Sequence, residues 1–141
     1  MDLGDVIFKI NPIQANYNLK SLGIPFVFGL NQDKIIDELE RGEITPDNFL
    51  HLLKKHSTNN GDITKAFNSI LDGPGFMVDR LNYLKELKDT NPDLKIYLLS
   101  NTNEIHIERI LQQAKIQSVA DLFIGADSCF TDLLFSCRLG S

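Results

Sequence analysis

Leu94-Lys95-Ile96-Tyr97-Leu98-Leu99-Ser100-Asn101-Thr102-Asn103 decides the fold class. Leu94 to Leu99 reads as a continuous apolar strand buried on both faces, the pattern of a parallel sheet. Ser100-Asn101-Thr102-Asn103 stands at its carboxyl end, and a helix begins near Glu104 with Ile107, Ile110 and Leu111 inward. A strand that runs through a polar turn into a helix is half of a βαβ unit. Open sheets of this kind place ligands at the carboxyl ends of their strands, so the polar turn is the first place to look for a site.

Working outward, Val78, Leu81, Leu84 and Leu87 give the preceding segment a helical apolar face, and Asn91-Pro92-Asp93 turns it into the strand. Gly73-Pro74-Gly75 is the clearest break in the chain and marks the return from an inserted helical segment. Within that segment, Thr45-Pro46 is a strong helix start, a hydroxyl N-cap followed by proline. The helix from Asp33 ends at Arg41-Gly42 on a glycine C-cap. A further helix spans Ile63 to Leu71 with Phe67, Ile70 and Leu71 buried, after a polar loop over Ser57 to Gly61. Residues 13–32 are mixed, and Asn11-Pro12 reads as a turn. Leu133 to Cys137 reads as one more short strand, ending at Leu139-Gly140. The expected architecture is α/β: a partial Rossmann-like parallel sheet from 1–12 and 74–141, with 13–73 as an α-helical cap inserted into it.

The 141 residues suit one domain with a small insertion. The net charge of -5 argues against a nucleic-acid binder, which carries a basic excess, but leaves a local anion site open. No apolar run approaches the roughly 18–20 residues that span a bilayer, and no secretory signal is visible, so a cytoplasmic protein is expected. Cys129 and Cys137 are neither a redox pair nor half of a zinc site and read as free thiols. His51 and His56 lie five apart on a helix, against the four that a metal pair prefers, and read as surface residues. His106 follows Ser100-Asn101-Thr102-Asn103, which leaves a place near the site open, but its position in the first helical turn favours the helix surface. Phe26, Phe28 and Phe49 read as cap core or pocket wall.

Two clusters carry chemistry. Asp2 offers a carboxylate beside Gly4, where backbone can approach a ligand closely. Ser100 offers a hydroxyl beside backbone N–H groups at a helix entry, which favour an anion. A carboxylate facing an anion site makes sense with a cation between them or with the carboxylate as attacking group, and both point to transfer through an aspartyl intermediate.

Asp2-Leu3-Gly4-Asp5-Val6-Ile7, Glu40-Arg41-Gly42-Glu43-Ile44-Thr45, Tyr97 to Asn103 and Leu134 to Gly140 together resemble the haloacid dehalogenase (HAD) superfamily. The branch is that of small phosphatases and dehalogenase-like hydrolases with an inserted helical cap. The resemblance covers nearly the whole chain and is most specific at Tyr97–Asn103. It implies that Asp2 is nucleophile and Mg2+ ligand, that the Gly4 carbonyl is a second metal ligand, and that Ser100 with the N–H of Asn101 holds the transferring phosphoryl group. The implied substrate is a small phosphorylated metabolite, a sugar phosphate being one candidate, with no nucleic-acid or membrane partner.

Three departures stand out. Many phosphatases of the superfamily carry a second Asp where Gly4 stands, and Asp5 does not automatically replace it. The third-motif Lys and the paired acids of the fourth motif are not found after Leu139-Gly140. The apolar strand residues that usually precede the nucleophile are absent before Asp2. The chain is therefore expected to be truncated at both ends, weakly active or inactive, with an apolar sheet edge and one face uncovered. Metal-free carbon–halogen hydrolysis of a haloacid, and a non-catalytic remnant that binds a phosphate or a partner, remain alternatives. A receiver-type phosphoacceptor ranks below them because it lacks the inserted cap.

Overall fold

A computed structural model describes residues 1–25, 28–29, 32–57 and 62–139. Phe26, most of the 57–61 loop and Gly140 lie outside the described residues.

The sheet is parallel, as its connections require. Strand β1 (Tyr97–Ser100) pairs with β2 (Asp132–Phe135) in the register Tyr97↔Asp132 to Ser100↔Phe135. The start of the chain runs along the other edge of β1, where Asp2 bridges Leu99 in parallel. Leu99 N–H donates to Met1 O (2.7 Å), and the Met1 amino group donates to Tyr97 O (3.2 Å). Between β1 and β2 the chain forms α6 (Glu104–Ile116) and the short α7 (Ala120–Phe123).

The segment between the first residues and the sheet holds α1 (Pro12–Ser21), α2 (Lys34–Glu40), α3 (Pro46–His56) and α4 (Ile63–Asn68). A 3-10 turn over Ser69–Leu71 follows α4, and α5 (Val78–Thr90) leads back to β1. The neck of this segment is a short antiparallel contact: Lys9 N–H donates to Gly75 O (2.9 Å) and Met77 N–H to Ile7 O (2.7 Å), with Phe8 opposite Phe76. Asn11 N–H adds a bond to Ile70 O (2.7 Å). Phe67 is the centre of the helical layer, with ring centroids 5.1 Å from Phe28 and 4.9 Å from Phe49. Phe8, Phe76 and Phe123 continue the aromatic packing under the sheet helices. The buried apolar side chains of both regions form one continuous core.

Local chemistry explains the helix starts. Thr45 Oγ1 accepts from Asn48 N–H (3.2 Å) and Asp33 Oδ1 from Ile35 N–H (3.1 Å), so both expected starts are present. Asn11-Pro12 is not a turn. Asn11 Oδ1 accepts from Gln14 N–H (3.1 Å) with Pro12 at the first helical position, the same device as Thr45-Pro46, and α1 occupies the stretch that periodicity left unassigned.

Two strand readings need correction. Leu94–Leu99 shortens to Tyr97–Ser100 and is buried on one face only: Leu98 is enclosed, whereas Tyr97 and Leu99 are 44% and 52% exposed. The apolar run signals burial on both faces, but no described element covers the second face. Leu133–Cys137 splits, because the chain leaves β2 after Phe135 and Ser136–Leu139 forms a helical turn, α8. Arg138 grips Glu104 there through Nε–Oε1 (2.7 Å) and Nη2–Oε2 (3.0 Å).

Gly42 links the helical layer to α8. Its φ is +73°, and a Cβ there would sit 2.5 Å from the Cys137 carbonyl oxygen. Gly42→Ala is expected to lower stability by at least about 1–2 kcal/mol, the cost of a left-handed non-glycine residue before the collision is added. Urea unfolding measures this, and an unchanged midpoint contradicts the close approach.

Candidate functional site

Asp2, Gly4, Ser100 and Asn101 reach one cavity because two adjacent parallel lines of backbone end together. Pairing with Leu99 puts Asp2 beside the last residues of β1, and Ser100 is the last of them. The cavity has a volume of about 480 Å3. Asp2 is exposed, and its Oδ1 accepts from the N–H of Leu3 (2.9 Å). A Cβ on Gly4 would meet the Ile10 side chain at 3.2 Å, so the backbone lies close against its neighbour there. Asp5 is not among the residues lining the cavity. It adopts φ +59°, and its Oδ1 accepts from Ile10 N–H (3.2 Å) and lies 3.8 Å from Lys9 Nζ.

The loop after β1 is held tightly. Ser136 Oγ accepts from Thr102 N–H (3.0 Å) and lies 3.2 Å from Thr102 O, so the ends of β1 and β2 are tied together. Asn103 is fully buried and caps α6, its Oδ1 accepting from His106 N–H (2.9 Å).

The opposite wall comes from the inserted helices. Phe28, Gln32, Asp37 and Glu40 face the same space. Gln32 Nε2 donates to Asp37 Oδ1 (2.8 Å) and Glu40 Oε2 (3.2 Å), which keeps the two acids together. Burial raises the Glu40 carboxyl above its ordinary range, the Gln32 bond offsets part of that, and Asp37 adds to the rise. These residues are not separable from ordinary helix surface in the sequence; only the three-residue spacing of Asp37 and Glu40 places them on one face.

Among the described residues that line the cavity there is no Lys or Arg. Among the described residues no three His, Cys, Asp or Glu side chains converge as a metal cluster. Magnesium commonly uses one or two carboxylates and completes its shell with substrate phosphate and water. Asp2 with the Gly4 carbonyl is the low end of such a set. A second hollow of about 430 Å3 on the other side of the strand ends is also bordered by Asp2, Ser100 and Asn101, together with Met1, Leu99 and Leu134.

His106 is the main correction among the site residues. It is 6% exposed, lines the cavity and stacks on Phe67 at 4.3 Å between ring centroids. Its position in a first helical turn suggests a surface place, but the helical layer closes over it. Burial pushes its pKa down to about 4, opposed by the bond to the Phe67 carbonyl. His51 and His56 are exposed, as expected. Phe28 is both cavity wall and core, and Phe49 is core. Both thiols are free, Cys129 buried and Cys137 partly so.

A short parallel sheet with an acid and a hydroxyl loop at its carboxyl edge, faced by an inserted helical layer, defines an α/β architecture. The fold is that of the HAD superfamily. A HAD family enzyme of Bacteroides thetaiotaomicron, solved as an Asp-to-Ala variant in complex with magnesium and inorganic phosphate, superposes with a TM-score of 0.77. It is 23% identical, and the match covers 99% of this chain and 68% of that one. The wild-type enzyme with magnesium and inorganic phosphate gives a TM-score of 0.73 at 25% identity, covering 99% of this chain and 68% of that chain. Its magnesium complex gives 0.74 at 24% identity, covering 99% and 67%. No protein-family model and no curated protein matches the sequence. No helix among the described residues is long and apolar enough to cross a membrane.

The buried imidazole has a consequence for stability. A folded-state pKa near 4, against an ordinary value of 6.5, favours the neutral ring. Its contribution is therefore fully present above pH 6.5 and is lost as pH falls toward 4. Between pH 7.5 and 4.5 this residue is expected to remove about 2–3 kcal/mol of stability. Unfolding curves of the protein and of His106→Phe across that range should converge toward low pH by this amount; parallel curves would show that the ring is not held neutral.

Proposed function

We propose that this chain carries a Mg2+-assisted aspartate phosphohydrolase site for a small phosphorylated metabolite, with residues 13–73 as its cap. The observation that carries this reading is the meeting of Asp2 and Gly4 with Ser100 and Asn101 in one cavity at the carboxyl ends of parallel strands. The magnesium and phosphate complexes of the Bacteroides enzyme, which shares the fold, support it. The cap reading is supported by Phe28, Gln32, Asp37 and Glu40, which face the sheet-side residues across the cavity. The polar wall of Gln32, Asp37 and Glu40 suits a hydroxyl-rich leaving group such as a sugar. The free thiols are in keeping with a cytoplasmic setting.

In this reading a carboxylate oxygen of Asp2 attacks phosphorus. The bond from phosphorus to the leaving oxygen breaks, and that oxygen keeps the electron pair and takes a proton from water. Water then attacks the aspartyl phosphate, which releases inorganic phosphate and restores Asp2. Ser100 and the N–H of Asn101 hold the phosphoryl oxygens where charge gathers. The Asp2 carboxylate and the Gly4 carbonyl would hold magnesium, which would supply positive charge to offset that of the phosphate.

With no Lys or Arg among the described residues that line the cavity, Asp2 and the phosphate, both negative, face each other with little compensation. Turnover of p-nitrophenyl phosphate is therefore expected below about 0.1 s⁻¹, from a typical enzyme value of roughly 10 s⁻¹ reduced by the hundredfold or more that one missing charge-stabilising donor costs. Asp2→Asn and EDTA should abolish that turnover, and Ser100→Ala should lower it by about a further hundredfold. Metal-independent turnover of a haloacid would favour the dehalogenase alternative. Failure to bind inorganic phosphate in the presence of Mg2+ would sink the phosphohydrolase reading.

A further inference from the structure

The imidazole of His106 touches both halves of the structure at once. Its Nδ1 lies 3.1 Å from Asn103 Nδ2, and its Nε2 lies 3.1 Å from the carbonyl oxygen of Phe67. These contacts fix the tautomer. Asn103 Oδ1 already accepts from the His106 N–H, so the amide side turned to Nδ1 is the NH2 donor. Nδ1 is then the unprotonated acceptor, and the Nε2 proton is directed to Phe67 O. The Phe67 carbonyl stands where α4 gives way to the 3-10 turn, and the Phe67 ring lies nearly parallel to the imidazole, at 21°. Phe28, a wall of the cavity, packs 5.7 Å away on the same ring. The chain of contacts therefore runs from the end of the Ser100–Asn103 loop, through one side chain, to the backbone of the inserted helices. On the core side the same loop has a separate anchor in the paired contacts of Ser136 with Thr102.

We propose that His106 is a positioning residue that latches the Ser100–Asn103 loop to helix α4, so that the loop takes its anion-binding shape only with the helical layer seated. The latch is a statement about the loop; its effect on phosphate rests on the phosphohydrolase reading above. A buried aromatic in its place would preserve the stacking and lose both polar contacts, which separates packing from positioning.

The test uses the full chain. Nitrogen NMR of the His106 ring at pH 7 is expected to show an unprotonated Nδ1 and a protonated Nε2. Inorganic phosphate with Mg2+ is then titrated against the protein, His106→Phe and Asn103→Ser, the last keeping a cap oxygen while removing the NH2 donor. Both variants should bind phosphate about tenfold more weakly, the lower end of what supporting partners of a site contribute. Leu84→Ala, a core change away from the cavity, should leave phosphate affinity unchanged, so that lost stability is not mistaken for lost positioning. The opposite tautomer, or native phosphate affinity in a folded His106→Phe or Asn103→Ser, overturns the latch. If His106→Phe does not fold, Asn103→Ser and the ring tautomer decide. If the unaltered protein binds no phosphate, the functional reading fails by itself. The latch is then judged by the tautomer and by amide exchange at Thr102 to His106, which should quicken in Asn103→Ser.

Discussion

Two backbone contacts hold the rest of the site in place: Leu99 N–H with the Met1 carbonyl, and the Met1 amino group with the Tyr97 carbonyl. They set the beginning of the chain parallel to β1. A shift of one residue in this pairing would turn the Asp2 side chain to the other face of the sheet, since side chains alternate along a strand. Asp2 and Ser100 are almost a hundred positions apart, and it is main-chain pairing, with no side chain involved, that makes them neighbours. The β1–β2 register does the same for Ser136, which is carried alongside the Thr102 backbone that it clamps.

The helical layer depends on a different kind of constraint. Its helices are short, from six residues in α4 to eleven in α3, and helices of this length are marginal in water without packing. Phe67 supplies that packing, touching Phe28, Phe49 and His106 around one ring. The neck at Ile7–Lys9 and Gly75–Met77 fixes where the layer leaves and rejoins the sheet, and the approach of Gly42 to Cys137 fixes its far side. The wall presented by Gln32, Asp37 and Glu40 thus belongs to a layer anchored at both ends.

Much of this was legible from local chemistry. Thr45-Pro46, Arg41-Gly42 and Gly73-Pro74-Gly75 act through hydroxyl capping and through backbone angles that glycine and proline dictate, and those effects need no tertiary partner. Asn11-Pro12 carries the same capping device, but the weakly amphipathic α1 gives it no periodic apolar face to announce a helix. Asp2, Gly4, Ser100 and Asn101 were legible as site candidates because strand ends are few and their chemistry is distinctive; the cavity gathers all four. The place of His106 near the loop was legible from its following Asn103, but its burial was not, because that comes from Phe67, thirty-nine positions away. The exposure of Leu99 does not follow from the apolar run itself, which reports a preference for burial and not whether a covering element exists.

The hollow on the open side of the sheet alters what charge can achieve at the cavity. Asp2, Ser100 and Asn101 border space on both sides of the strand ends, so solvent reaches them from two directions. Two unit charges 4 Å apart interact by about 1 kcal/mol in bulk water and by about 4 kcal/mol at the effective dielectric of a protein surface. Water on both flanks pushes the site toward the first figure. The same screening that would let a carboxylate and an anion approach without strong repulsion would also dilute the attraction of any cation or N–H group placed to hold that anion.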